Sequence, residues 1–486
     1  MSKARTYILP IPVRGEASIF PMSAMPPRYA LKMQNVYISE NGGVKNVPGY
    51  AKINTSSAGA QLLSGFEFKK TDGSAQILTA GGGNIYKLDT GNVLTAIKTG
   101  LNTDAEARFT VMNNLCIMVN GVDAPMKNDM SAVANLGGSP PATAFKAHVH
   151  KGRVWMIERL NKLLATYSAL NNPEDYTTAN NAGYMDFKFL LPEGEELLDI
   201  ITYIDLLVFF FKNYIAIYSG TNPTSSGDFA LVQLIKGAGI AATDMAQMSG
   251  TDCIFLSQSG VKTLKQVVTT GDLNIGDASE ALAPVLRSEI ANASRFAATH
   301  YPKLGWLLLL IGSTVWIYQY TYKAWVRMVG ADVLGMFGTT DGRLYLCGTG
   351  FLYQYDSGKT FAGVNIKWIW ETAWLTLAKG LKAFLKLMEV ITFPDTETTV
   401  NVQLSYDMNL STMEHYMSFQ SQPLNLQYID AITDWDAVIN FDEILYNIVR
   451  IPLFGAGKSV KMIFSNESAV DVEINDVKLQ YTTGGL

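Results

Sequence analysis

The sequence predicts an all-β protein: a β-propeller of about seven blades, range six to eight, with an N-terminal arm before it and a C-terminal β-sandwich-like domain after it. Three observations carry this. The first is the stretch Ala144 to Tyr176. Ala147, Val149 and Lys151 alternate with His148 and His150, the period of a half-buried strand. Gly152 and Arg153 turn the chain into Val154–Ile157, a polar break at Glu158–Lys162 leads to Leu163–Tyr167, and Asn171, Asn172 and Pro173 close the unit. Short strands joined by tight polar turns within roughly 30–45 residues describe one propeller blade. The second is composition: 48% hydrophobic, 11% aromatic and 41 glycines, which suits many short strands and not a helical bundle. The third is a change of rhythm after Gly358, where strands and loops both lengthen.

Residues 1–59 form the arm. Pro10, Pro12, Pro21, Pro26 and Pro27 forbid regular helix and central strand. Basic residues outnumber acidic ones here, and Arg5, Arg14, Arg28 and Lys32 are candidate contacts to a neighbouring subunit or adaptor. Asn41-Gly42-Gly43 between Asn35–Ile38 and Val44–Val47 is a hairpin signal.

Residues 60–358 carry the blades. Gly81-Gly82-Gly83 precedes a strand without a following helix or a Lys-Ser/Thr pair, so it marks a turn and not a phosphate cradle. Later units begin near Arg108, Leu197, Ala242, Arg295 and Leu334. Residues 277–293 form a helical insertion: Ala278, Leu282, Val285, Leu286, Ile290 and Ala293 approximate one face, and Pro284 kinks the helix or lies at its start. Residues 359–486 form the C-terminal β domain. Beyond Glu389 its carboxylates outnumber its Lys and Arg, and Asp434, Asp436, Asp442 and Glu443 are candidates for an acidic surface or channel lining.

The formal net charge of −5 argues against tight gripping of nucleic acid by counterion release. Cys116, Cys253 and Cys347 each lie in an apolar strand and are expected to be buried, reduced thiols. No signal-peptide pattern follows Lys3 and Arg5, and the longest apolar runs fall far short of the ~18 residues that span a bilayer, so no membrane insertion is expected. His148 and His150 project to one strand face and could supply two metal ligands. With no third ligand assigned, they are expected to be ordinary strand residues, and no cofactor is expected. No GxSxG, HExxH or Walker pattern occurs, so no catalytic residue is assigned.

Several stretches resemble one family. They are Arg14-Gly15 in a proline-rich start, Asn35-Val36-Tyr37 with Gly42-Gly43-Val44 and Pro48-Gly49-Tyr50, His150-Lys151-Gly152-Arg153-Val154-Trp155 with Tyr167-Ser168-Ala169 and Asn172-Pro173-Glu174-Asp175-Tyr176, and Lys236–Ala241 before Phe255–Val261. Together they are similar to the tail nozzle or hub proteins of short-tailed bacteriophages, the packaged-DNA stabilisation proteins. The resemblance implies a structural virion protein, made in the host cytoplasm and resident in the phage tail. It implies a homo-oligomer of six copies below the head-to-tail adaptor, with docking surfaces for fibre, spike, plug or needle proteins. Duplex DNA would pass through the channel without sequence-specific binding, and an acidic lumen would repel its phosphates. Two other readings stay open. One is a different tail component, such as a fibre adaptor or receptor-binding protein. The other is a propeller-fold carbohydrate-active enzyme, which would need a pair of carboxylates facing one another across a cleft.

Overall fold

The computed structural model describes residues 4–224, 228–249, 252–266, 273–408, 415–421 and 447–484. The chain forms two compact units. One comprises residues 52–313 and 331–355, the other residues 1–51, 314–330 and 356–486.

The first unit is built from blades. Five consecutive antiparallel four-stranded sheets occupy residues 64–98, 108–135, 144–186, 197–236 and 246–277. A sixth begins with Phe296–Tyr301 and Trp306–Ile311, and a seventh consists of Gly335–Gly338, Leu344–Cys347 and Leu352–Tyr355. The first strands of successive blades are neighbours, and the first strand of the seventh returns to that of the first. Seven blades therefore close into a ring, as the strand rhythm predicted. Ring closure leaves no blade with an uncovered face.

The closing seam is made by a segment that comes before the first blade. Ile53 N–H donates to Leu352 O at 2.9 Å, Ala58 N–H to Gly350 O at 2.9 Å and Leu62 N–H to Gly348 O at 3.0 Å. Asn54, 2% exposed, clasps the same strand from both sides: its Nδ2 donates to Gly350 O at 3.1 Å and its Oδ1 accepts Leu352 N–H at 2.7 Å. Separate apolar cores fill the wedges between neighbouring blades. Phe68, Leu78, Cys116 and Met118 fill one, Ile117, Met156 and Val154 the next, and Trp155, Phe187, Phe209 and Phe211 the third. Leu62, Phe337, Tyr345, Cys347 and Leu352 pack at the seam. The three cysteines are buried free thiols.

The helix expected over 277–293 is shorter: Asp277 ends a strand, Glu280–Leu282 form a 3₁₀ turn, and the helix runs Ala283–Asn292. Pro284 falls in its first turn, where the missing N–H costs no hydrogen bond, so the helix starts at the proline and is not kinked by it. Leu286 and Ile290 supply its buried stripe.

The second unit departs from the expected boundaries. Residues 1–51 do not stand alone as an arm. Arg5–Ile8 pairs with Val472–Gly484, the hairpin Val36–Ile38 and Val44–Asn46 joins the same strand through Val44 and Ile474, and Ala30–Gln34 pairs with Val364–Thr372. Thr314–Gln319 and Ala324–Met328, expected as the outer half of the sixth blade, pair with each other and group with this unit. Gln34 meets Arg327 in a parallel bridge. Buried Glu16 fixes this joint: its carboxylate accepts Met33 N–H at 2.9 Å and pairs with Arg327 at 2.5 Å. Pairings between residues hundreds of positions apart leave no local pattern, which is why the sequence suggested an arm.

Two sheets make up this unit. One has Lys382–Pro394, Val472–Gly484 and Asn447–Pro452 at its centre. The other runs Ala30–Gln34, Val364–Thr372, Val460–Ser468, Thr398–Tyr406 and His415–Ser421. Alternate residues along Lys382–Pro394 and Thr398–Tyr406 are buried, so each sheet turns one face to a shared core. Thr392 and Ser421 hydrogen-bond across that core at 2.6 Å.

Candidate functional site

At the first strands of the blades lies a cavity of about 350 Å³, bordered by Ser64, Glu106, Arg108, Lys146, Asp244, Gln247, Thr299 and Met336 among others. Its charged residues, Glu106, Arg108, Lys146 and Asp244, come from three blades, and Asp199 of a fourth joins them from behind. Lys146 and Asp199 occupy the same place in the first strands of the third and fourth blades, just after a β-bulge in each: Ala144 opposes Glu158 and Lys146 opposes Ile157, leaving Phe145 over, and Leu197 and Asp199 leave Leu198 over in the same way. A bulge turns the following side chain off the regular alternation. Here it aims inward the one formally charged side chain of each strand.

The result is an alternating chain of charges. Lys146 Nζ lies 2.9 Å from Asp199 and also pairs with Asp244. Asp244 pairs in turn with Arg108, which lies 3.2 Å from Glu106. Asp199 is fully buried, and its other oxygen accepts Asp244 N–H at 2.9 Å. Burial alone would depress Lys146, but Asp199 and Asp244 hold its pKa above the ordinary lysine value. Burial would raise Asp244, but Lys146 and Arg108 hold it well below the usual carboxylate range. Asp199 and Glu106 go the other way: burial raises both, against the pull of Lys146 and Arg108 respectively. Each of the five groups has an opposite charge in contact, and the four inner strands are tied together through them. The network can brace the ring. Glu106 is the carboxylate that both borders the cavity and has a raised pKa.

His148 and His150 point to one side of their strand, as predicted, and both rings meet the hydroxyl of Thr202 on the next blade, at 2.9 and 3.0 Å. Among the described residues no three His, Cys, Asp or Glu cluster as metal ligands. Burial, helped by Lys146, holds His148 down to about 3, and burial, helped by Lys151 against Asp205, holds His150 at about 4. A histidine whose folded pKa lies below its unfolded value of roughly 6.5 binds fewer protons folded than unfolded in that interval. Its contribution is fully present above pH 6.5 and is lost as the pH falls toward the folded value. Stability should therefore drop by on the order of 2 kcal/mol per histidine between pH 7 and 4.5. Urea unfolding at the two pH values measures this. The His148→Gln/His150→Gln variant should show a flatter profile, and an unchanged slope would contradict the assignment.

Of the candidate contact residues, Arg5, Arg14 and Arg28 are exposed in the second unit and Lys32 is half-buried. Of these, Arg14 and Arg28 are neighbours, Arg14 N–H donating to Arg28 O at 3.0 Å. Asp434, Asp436, Asp442 and Glu443 lie outside the described residues. The charge chain Glu106–Arg108–Asp244–Lys146–Asp199 was not singled out from sequence, although a lone charge in AFKAHVH and another in LLDIITY were visible signals.

The motifs that carry the family resemblance prove to be joints. Arg153, 3% exposed, donates to Ser168 O and Asn181 O at 2.7 Å each, while Ser168 Oγ accepts Val154 N–H at 3.0 Å. These bonds lock His-Lys-Gly-Arg-Val-Trp to Tyr-Ser-Ala. Glu174 reaches back to Lys127 of the preceding blade at 2.5 Å, and Asp175 caps Thr177 N–H at 2.9 Å. At Gly239 a β-carbon would come within 2.3 Å of Lys212 O, so only glycine lets the chain pass from the fourth blade to the fifth. Ala241 N–H then donates to Leu256 O at 2.7 Å. In the second unit Asn35 takes a positive φ of 55° and bonds Val329 and Lys367 through its side chain. Gly43 sits where a β-carbon would lie 2.0 Å from Asn475 Oδ1.

No protein-family model matches the chain, and no curated protein matches it. Solved structures do. Streptogramin B lyase is similar at 14% identity, with 63% of this chain and 96% of that chain covered and a TM-score of 0.43. Virginiamycin B lyase from Staphylococcus aureus is similar at 11% identity, with coverage of 63% and 97% and a TM-score of 0.43. The WD40 β-propeller domain of Doa1 is similar at 10% identity, with coverage of 63% and 96% and a TM-score of 0.41. The all-β fold with a β-propeller stands on the chain's own strand pairing and ring closure.

Proposed function

We propose that this chain is a non-catalytic structural protein of a short-tailed phage virion, a tail nozzle or hub subunit that oligomerises below the head-to-tail adaptor, helps retain packaged DNA and conducts it at ejection. One observation supports the reading most: stretches on which the resemblance rests serve as joints within and between strands, at Arg153–Ser168, Glu174–Lys127, Gly239 and Asn35. A family resemblance borne by joints is what a building block retains. The charge chain supports it too, because its members are engaged with one another.

In this reading six copies form a channel through which duplex DNA passes without sequence-specific contact. Fibre, spike or plug proteins dock on the outside. Arg5, Arg14 and Arg28, exposed on the second unit, are contacts to the adaptor or a neighbouring copy. The test is genetic and physical. Phage particles assembled without this chain should package DNA and then lose it on dilution or mild heating, and the purified chain added back should restore retention. Particles that keep their genome and infect normally without it would overturn the reading.

A further inference from the structure

The sheet of the second unit has a second face, turned away from the core. Its register is regular. Lys32, Glu371, Ile463, Gln403 and Tyr416 stand side by side on five neighbouring strands. Next to them run Gln34, Ile369, Ser465, Asn401 and Ser418, and beyond those Lys367 and Glu467. The middle row is short where it crosses Ser465. The outer rows carry long side chains. Rows so arranged form a trough across the strands, and a cavity of about 430 Å³ lies along it. Five strands at about 4.8 Å spacing make it about 19 Å long.

Most polar side chains of this trough are unengaged. Charged side chains at the propeller cavity are paired with one another, and Glu371 is held by Lys461 at 2.5 Å. By contrast, Lys32, Lys367, Asn401, Gln403, Tyr416 and Glu467 make no side-chain hydrogen bond or ion pair with the described protein. Tyr416 presents an aromatic ring that is 64% exposed at one end.

We propose that this trough binds an oligosaccharide. The backbone of the inner strands is spent in the sheet, so a ligand lying across this face is recognised by side chains. Two lysines face two glutamates, so the trough has no net charge and does not suit a phosphate backbone. What it offers is a mixture of free donors and acceptors on a flat floor with an aromatic ring. That combination matches a ligand with hydroxyls around its rim and apolar C–H faces. The Tyr416 ring stacks on one sugar face, since tyrosine joins an apolar body to a polar tip. Asn401 and Gln403 each both donate and accept, which fits vicinal hydroxyls. Lys367 and Glu467 hold the far edge. The proposal is independent of the tail assignment and stands on the trough alone.

The test is a printed array of neutral, acidic and amino oligosaccharides of three to six units, probed with the full chain, followed by calorimetric titration of the strongest binder. Binding should appear, and Tyr416→Ala and the double variant Asn401→Ala/Gln403→Ala should each weaken it at least tenfold, with unchanged thermal melting. Tyr184→Ala, an exposed tyrosine in the other unit, should leave it intact. No binding to any saccharide overturns the proposal. So does binding that survives both trough variants. Self-association of the chain that Tyr416→Ala abolishes would instead assign the face to a second copy.

Discussion

Replacing Lys146 with alanine is expected to destabilise the propeller by about 3–5 kcal/mol, the cost of leaving a buried charge without its partner. Asp199 is fully buried and its ion-pair partner is Lys146. Asp244 would keep Arg108, but Asp199 would keep only N–H donors. The loss should therefore come mainly from Asp199. Lys146→Met/Asp199→Asn tests this. The amide oxygen still accepts Asp244 N–H and no charge remains to be paired, so the double variant should recover most of the loss. Chemical unfolding of the two variants, followed by tryptophan fluorescence, separates them. Equal losses would mean that the lysine acts through packing and not through charge.

Trp155→Ala should cost a comparable amount, about 3–5 kcal/mol, through the cavity it leaves. The indole is 1% exposed and packs between two blades, with ring centroids 4.8 Å from Tyr167, 5.7 Å from Phe209 and 5.6 Å from Phe229. Its N–H is buried without a hydrogen-bond partner among the described residues. Trp155→Phe removes that unsatisfied group while keeping an aromatic ring. It should cost less than about 1.5 kcal/mol. A phenylalanine variant as unstable as the alanine variant would show that indole shape, and not its aromatic bulk, holds the wedge.

The blades were legible because their information is local. Val154–Ile157, Leu206–Phe211 and Trp306–Ile311 are apolar runs bounded by turns, and their hydrogen-bonded neighbours are the next strands in the chain. The helix was legible for the same reason, although the sequence left open whether Pro284 kinks it or starts it. The second unit was not, because its partners are remote: Arg5–Ile8 finds Val472–Gly484, and Glu16 finds Arg327. The ring seam at Asn54 and Leu352 is remote too. The charge chain fell between these cases. Lys146 and Asp199 were conspicuous in apolar strands, but what brings them together is a bulge in each of two blades, and a bulge is invisible in an alternating pattern.

We propose that copies of this chain build a channel at a phage portal. Electron microscopy tests it most directly, with the purified protein imaged alone and mixed with particles that lack it. The expected image is a ring or tube with a central opening wide enough for duplex DNA, attached at the portal vertex. A chain that stays monomeric and ignores those particles would contradict it.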